Sequence, residues 1–206
     1  NGRSIPVSHP RYTIGNVRYY VDSNGTADTA ALHHTEHGGS EIYYSDRLRF
    51  RPSLLTSNTL FHNGEYYNED KQKLTYRHFM RLSAINYSNI RLQADTLHAP
   101  SSDGMTTPLD CDIIINHARS KLVSLDLEGT NSAGDLGVAA STPLQHNNLF
   151  KGSENLAIKL RGAYEAITGL EGYDGNNYIE LGAEATLRFP RFLLPFISRE
   201  FGATHT

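Results

Sequence analysis

The chain has 206 residues, 38% hydrophobic and 20% charged, the balance of a folded protein of one or two domains. A formal charge of -3 gives no electrostatic footprint for nucleic acid, and a single cysteine, Cys111, excludes an internal disulfide. No run of about 18 apolar residues exists to make a transmembrane helix, and the start NGRSIPVSHP lacks the basic end and apolar core of a signal peptide, so export would require a targeting segment already removed.

Residues 1–10, bounded by Pro6 and Pro10, read as a linker. Tyr12 to Val21 sets Thr13, Val17, Tyr19 and Val21 against Tyr12, Ile14, Asn16, Arg18 and Tyr20, the two-residue period of a strand. Ser23 to Ser40 is rich in Gly, Ala, Thr and His and reads as a long inserted loop. Its His33, His34 and His37 have no neighbouring carboxylate pair and precede Gly38 and Gly39, which favours a solvated loop over a metal site. Glu41 to Phe50 reads as extended. A short helix follows from Arg51 through about Phe61, with Pro52 in its first turn, where a missing N–H costs nothing.

The segment FHNGEYY, residues 61–67, breaks that helix with a glycine turn. Asn68 then fits an N-cap, Glu69 and Asp70 suit the positive end of a second helix, and Leu74, His78, Phe79, Leu82 and Ile85 form its expected buried stripe. Tyr87 to Gln93 and Leu109 to Asn116 read as strands around a polar loop over residues 97–107. The order strand, helix, helix, strand, strand predicts an α+β module over residues 11–118, a sheet of three strands covered on one face by two helices.

Beyond residue 118 the pattern is strand only. Lys121 to Glu128 places Val123, Leu125 and Leu127 opposite Ser124, Asp126 and Glu128, and Asp135 to Thr142 offers Leu136, Val138 and Ala140. Gly129 to Asp135 between them reads as a hairpin turn. Asn155 to Thr168 puts Leu156, Ile158, Leu160, Tyr164 and Ala166 on one face and Asn155, Lys159, Arg161 and Glu165 on the other. Tyr178 to Phe189 is the longest alternation: Ile179, Leu181, Ala183, Ala185, Leu187 and Phe189 interleave with Tyr178, Glu180, Gly182, Glu184, Thr186 and Arg188. One face is apolar while the other carries every charge, which suits strands between lipid and water. Tyr and Phe could form an aromatic belt, although Trp, the better anchor, is absent.

Two stretches carry a resemblance. LFHNGEYYNED, residues 60–70, between the helices, resembles a polypeptide-transport-associated (POTRA) domain, the match lying on Phe61, Gly64, Glu65 and Tyr66. EGTNSAGDLGVAAS (128–141) and HNNLFKGSE (146–154) are similar to the first two barrel strands, and the tight turn after them, of the BamA/TamA-like superfamily of outer-membrane assembly proteins. The turn residues are Asn148, Leu149, Phe150 and Gly152, with Lys151 inserted before the glycine. The resemblance implies a periplasmic POTRA-like module followed, over residues 119–206, by antiparallel strands of an incomplete transmembrane β-barrel. The family's arginine-glycine-phenylalanine signature has no counterpart, and a barrel needs at least about 8 strands to close, so the chain is expected to be a piece of a longer protein.

The family implies assembly or export of other proteins at the bacterial outer membrane, with no catalysis, cofactor or metal. Unfolded outer-membrane clients and outer-membrane lipid are the expected partners, with accessory lipoproteins or periplasmic proteins beside them. An exposed strand edge can bind such a client through unpaired N–H and C=O groups. The candidate edges are Tyr87, Ile90 and Leu92 in the module and Val123, Leu125, Leu127 and Gly129 in the first barrel strand. Two readings compete. A hydrolase lacks support, because Ser132 in GTNSAG does not make Gly-x-Ser-x-Gly. A soluble β-sandwich adhesin or carbohydrate-binding module would instead bury the apolar strand faces against one another.

Overall fold

The computed structural model describes residues 11–23, 31–94, 106–132, 135–166 and 177–190. The linker over 1–10, residues 24–30 of the expected loop and most of the polar loop (97–105) lie outside them. The chain divides into two compact units, Asn1–Ala118 and Arg119–Thr206.

Among the described residues, the first unit holds β1 (Arg11–Val21), β2 (His33–His37), β3 (Ser40–Tyr44), α1 (Pro52–Asn58), α2 (Glu69–Met80), β4 (Ile85–Ala94) and β5 (Thr106–His117). The sheet order is β2-β3-β1-β5-β4, with β1 parallel to both β3 and β5. The sheet therefore has five strands instead of the expected three. The extra pair comes from the region read as loop and extended chain. Gly38 and Gly39, at φ 60° and 73°, make the tight turn that lets HHTEH fold back on SEIYY. His33 then stacks on Tyr44 and His34 on Tyr43, so these imidazoles pack as strand side chains.

A β-bulge corrects the expected faces of β1. The register shifts between Ile14 and Val17, moving Ile14 onto the same buried side as Val17, Tyr19 and Val21. Gly15 is required there, because a Cβ would sit 2.8 Å from Asp110 Oδ1, the oxygen that accepts from Asn16 N at 3.0 Å. Those β1 side chains join Ile42, Cys111, Ile113 and Ile115 beneath Leu54 and Leu55 of α1 and Phe79 of α2. At about 25 cal/mol per Å2 of apolar surface, this burial supplies the main drive for folding the unit.

Both helices start as their sequences dictate. Pro52 opens α1, which ends at Asn58, three residues before the expected Phe61. Asn68 Oδ1 caps α2 by accepting from Asp70 N at 2.8 Å and Lys71 N at 3.2 Å. The buried stripe of α2 holds Thr75 and Phe79, with Leu82 and Ile85 beyond its end, while Leu74 is exposed. Thr75 takes the inner place because its Oγ1 accepts from Leu60 N at 3.0 Å, satisfying a backbone donor beside the core. His78 is half-buried, and burial, reinforced by Arg81 and Arg77, pushes its pKa down.

The second unit contains β6 (Lys121–Val123), β7 (Asp126–Ser132), β8 (Asp135–His146), β9 (Asn155–Ala166) and β10 (Asn177–Arg188) and no helix among its described residues. Its sheet runs β10-β9-β8-β6, with β7 also on β8, and every pairing is antiparallel. The sheet is not closed among the described residues. Gly129 to Asp135 is not all turn: β7 continues through Gly129 to Ser132, which pairs with Asp135. The expected single strand over 121–128 is split in two, opposite Pro143.

Candidate functional site

Register decides what the second sheet offers to its surroundings. Leu181 lies opposite Gly162, which lies opposite Ala140, which lies opposite Leu127. The next row joins Ile179, Tyr164, Val138 and Gly129, and a third joins Ala185, Ile158, Leu144 and Val123. Each row adds apolar side chains to the same face, so the strands merge into one apolar surface. That surface is open: Leu181 is 85% exposed and Leu127 76%. A water-soluble sandwich would cover it.

The other face gathers the charges. Lys159 lies opposite Glu184, and Arg161 Nη1 approaches Glu128 Oε2 at 3.7 Å across β8. Arg161 is bordered by Ser141 and Gly182, which leave its guanidinium room to remain hydrated. The twelve residues of β9, at about 3.3 Å each, run roughly 40 Å. A tilted strand of about 9–11 residues crosses a hydrocarbon layer.

The loop from β8 to β9 is built on two side chains. Glu154, almost fully buried, accepts through Oε2 from Phe150 N at 3.1 Å and Gly152 N at 2.9 Å. Asn148 Oδ1 accepts from Ser153 N at 3.0 Å. Lys151 and Ser153 adopt φ 62° and 63°, held there by these bonds. A side chain at Gly152 would collide with the Glu154 carboxylate. Of the motif residues, Asn148 and Gly152 thus shape the turn and Phe150 is exposed. Sequence reasoning missed Glu154; its signal is a carboxylate two residues past a glycine, within reach of the turn's orphan N–H groups.

In the first unit the motif residues serve the sheet. Phe61 is buried in the core and Gly64 turns the chain at φ 84°. Gly64 to Tyr67 then lies along β1: Ile14 N donates to Glu65 O at 2.7 Å and Tyr67 N to Tyr12 O at 2.9 Å. Lys71 Nζ, 2.7 Å from Glu65 Oε2, leads in holding that carboxyl below its usual pKa. Tyr66 remains exposed.

The candidate client-contacting residues divide. β4 is the last strand of its sheet among the described residues, so one edge of its backbone is unpaired. Tyr87, 47% exposed, stands opposite Asn116. Ile90 and Leu92 stand opposite Ile113 and Cys111 and pack against the core, so only their backbone is available to an incoming strand. Val123, Leu125 and Leu127 are all exposed on the apolar face of the second sheet, beside Gly129. Among the described residues no group of His, Cys, Asp and Glu could hold a metal ion, and no helix is long and apolar enough to cross a membrane.

No family model matches the sequence, and no curated protein matches it. Solved structures with partial likeness include BamA from Haemophilus ducreyi lacking POTRA domains 1–3, at 9% identity and TM-score 0.37, covering 76% of this chain and 36% of that one. CdiB from Acinetobacter baumannii aligns at 8% identity and TM-score 0.44, over 76% of this chain and 40% of its own. The chain therefore spans less than half the length of either structure, and the functional reading rests on the chemistry of its strands.

Proposed function

We propose that this chain is part of an outer-membrane protein that assembles or exports other proteins, with the second unit contributing transmembrane strands and the first lying in the periplasm. The observation that carries this reading is the apolar surface shared in register by the strands of the second sheet, exposed on one side and backed by charges on the other. Lipid takes the apolar side and water the charged side. Unfolded clients bind by strand addition at free edges, through Tyr87 to Gln93 in the first sheet and Val123 to Gly129 in the second. Accessory lipoproteins or periplasmic proteins dock on the first unit. The chain carries out no covalent chemistry.

The test places the same charge on each face in the complete gene product. Leu181→Arg costs about 2 to 4 kcal/mol near the bilayer centre and lowers the amount of protein folded in outer membranes, whereas Glu184→Arg costs much less. Heat-modifiable mobility on gels reads the outcome. Equal tolerance of the two substitutions would contradict the faces and favour the sandwich adhesin.

A further inference from the structure

The split between β6 and β7 has a local chemical cause. Ser124 faces Pro143 in the pairing register, and Ser124 N donates to Pro143 O at 3.1 Å. The return bond cannot form, because proline has no N–H. Thr142 Oγ1 donates to Ser124 O at 3.0 Å instead. The ladder is thus interrupted in the middle of what the sequence alone presents as one strand.

The two pieces are held unequally. β6 continues into a clasp on the turn: Asn147 N donates to Ser120 O at 2.8 Å and Asn147 Nδ2 to Arg119 O at 3.2 Å. Asn147 is itself fixed, its Oδ1 accepting from Gln145 Nε2 and Asn155 Nδ2, both at 2.7 Å. β7 has no such clasp. Its Glu128, Leu127 and Thr130 face Ala139, Ala140 and Gly137, small residues that give little cross-strand contact. β9 and β10 instead match Leu156 with Leu187 and Tyr164 with Ile179.

We propose that β7 alone, hinged at Ser124–Leu125, exchanges with an incoming client strand on the edge of β8, while β6 stays clasped. This rests on the membrane reading of the second sheet. Exchange is the mode that lipid permits, because a bare edge would leave backbone groups unsatisfied, whereas replacement keeps each hydrogen bond. The occupant is an extended segment of an unfolded membrane protein, apolar on the side of Leu136, Val138 and Ala140 and free to carry bulk over Gly137 and Ala139.

Ladder bonds alternate along antiparallel strands, so the Ser124–Pro143 contact implies that Leu122, Glu128 and Thr130 direct their N–H groups at β8. Hydrogen exchange on the complete gene product in detergent micelles measures the hinge without any assembly activity. Glu128 and Thr130 exchange at least about tenfold faster than Leu122, and Pro143→Thr, which restores the donor, narrows the gap. Equal rates in the unsubstituted chain, or faster exchange at Leu122, overturn the hinge.

Disulfide staples test the occupant, since Leu127/Ala140 and Val123/Leu144 are both facing pairs of the closer type. Oxidised Leu127→Cys with Ala140→Cys blocks client insertion and a reductant restores it, while Val123→Cys with Leu144→Cys leaves insertion unchanged. Both staples silent, or both blocking, overturn exchange at β8. Failure of the membrane reading is seen separately, as indifference to Leu181→Arg.

Discussion

Both sheets use strands that alternate apolar and polar side chains, yet the apolar sides meet different surroundings. In the first, Val21 and Ile42 are 0% exposed, sealed under α1 and α2; in the second, Leu181 is 85% exposed. Periodicity reports that a strand has two faces, and the covering elements determine what wets each one. The first unit supplies its own cover from Leu54, Leu55 and Phe79. The second has no helix among its described residues, so its apolar side needs an outside solvent of low polarity.

Truncating one apolar side chain in each sheet breaks that comparison most directly. Phe79→Ala, at a fully buried site, costs about 3 to 5 kcal/mol in urea unfolding of the chain, whereas Leu127→Ala on the open face shifts stability by no more than about 0.5 kcal/mol. Comparable losses would mean that the second sheet is covered after all.

Alkaline pH sharpens the comparison next. Burial pushes the Tyr19 hydroxyl from 10.0 up to about 12 and the Cys111 thiol from 9.0 up to about 12. Both folded values lie above the unfolded ones, so the contribution is complete below about pH 9 and is lost as pH rises toward about 12. Tyr19 alone accounts for about 3 kcal/mol of that loss. Urea midpoints at about pH 8 and about pH 11 check it, with the fall confined to the first unit.

Smaller effects follow at local features. Glu154→Ala removes the acceptor for Phe150 N and Gly152 N, costs about 1 to 3 kcal/mol and speeds hydrogen exchange at those two residues. Asn68→Ala costs about 1 kcal/mol through the lost α2 cap, read as fraying of Asp70 and Lys71 by the same measurement.

Much of the secondary structure was legible because its causes are local. The alternation from Tyr178 to Phe189 foretells β10, and the Asn68 cap and Pro52 mark helix starts that the coordinates share. The failures involve partners distant in sequence. Ile14 changes face because Gly15 and Asn16 bulge against Asp110, and Leu74 yields its inner place to Thr75, whose hydroxyl meets Leu60. Pro143 splits its neighbour only once the register places it beside Ser124. The reading of His33 to His37 as loop weighed composition above turn chemistry: Gly38-Gly39 is a hairpin signal when residues on both sides can pair. Of the candidate client contacts, Tyr87 could be recognised as outward-facing only after β5 showed which side of β4 carries the core.

The compact clasp at residues 147–154 also bears on the order of events during folding. It joins β8 to β9 by a short path, with Asn148 and Glu154 fixing the bend from within. Closing so small a loop costs little chain entropy, and contacts near in sequence form soonest. The β8–β9 ribbon is thus the natural seed of the second sheet, the first piece to acquire its pairing and the template onto which β10 zips from one side and the split strand from the other.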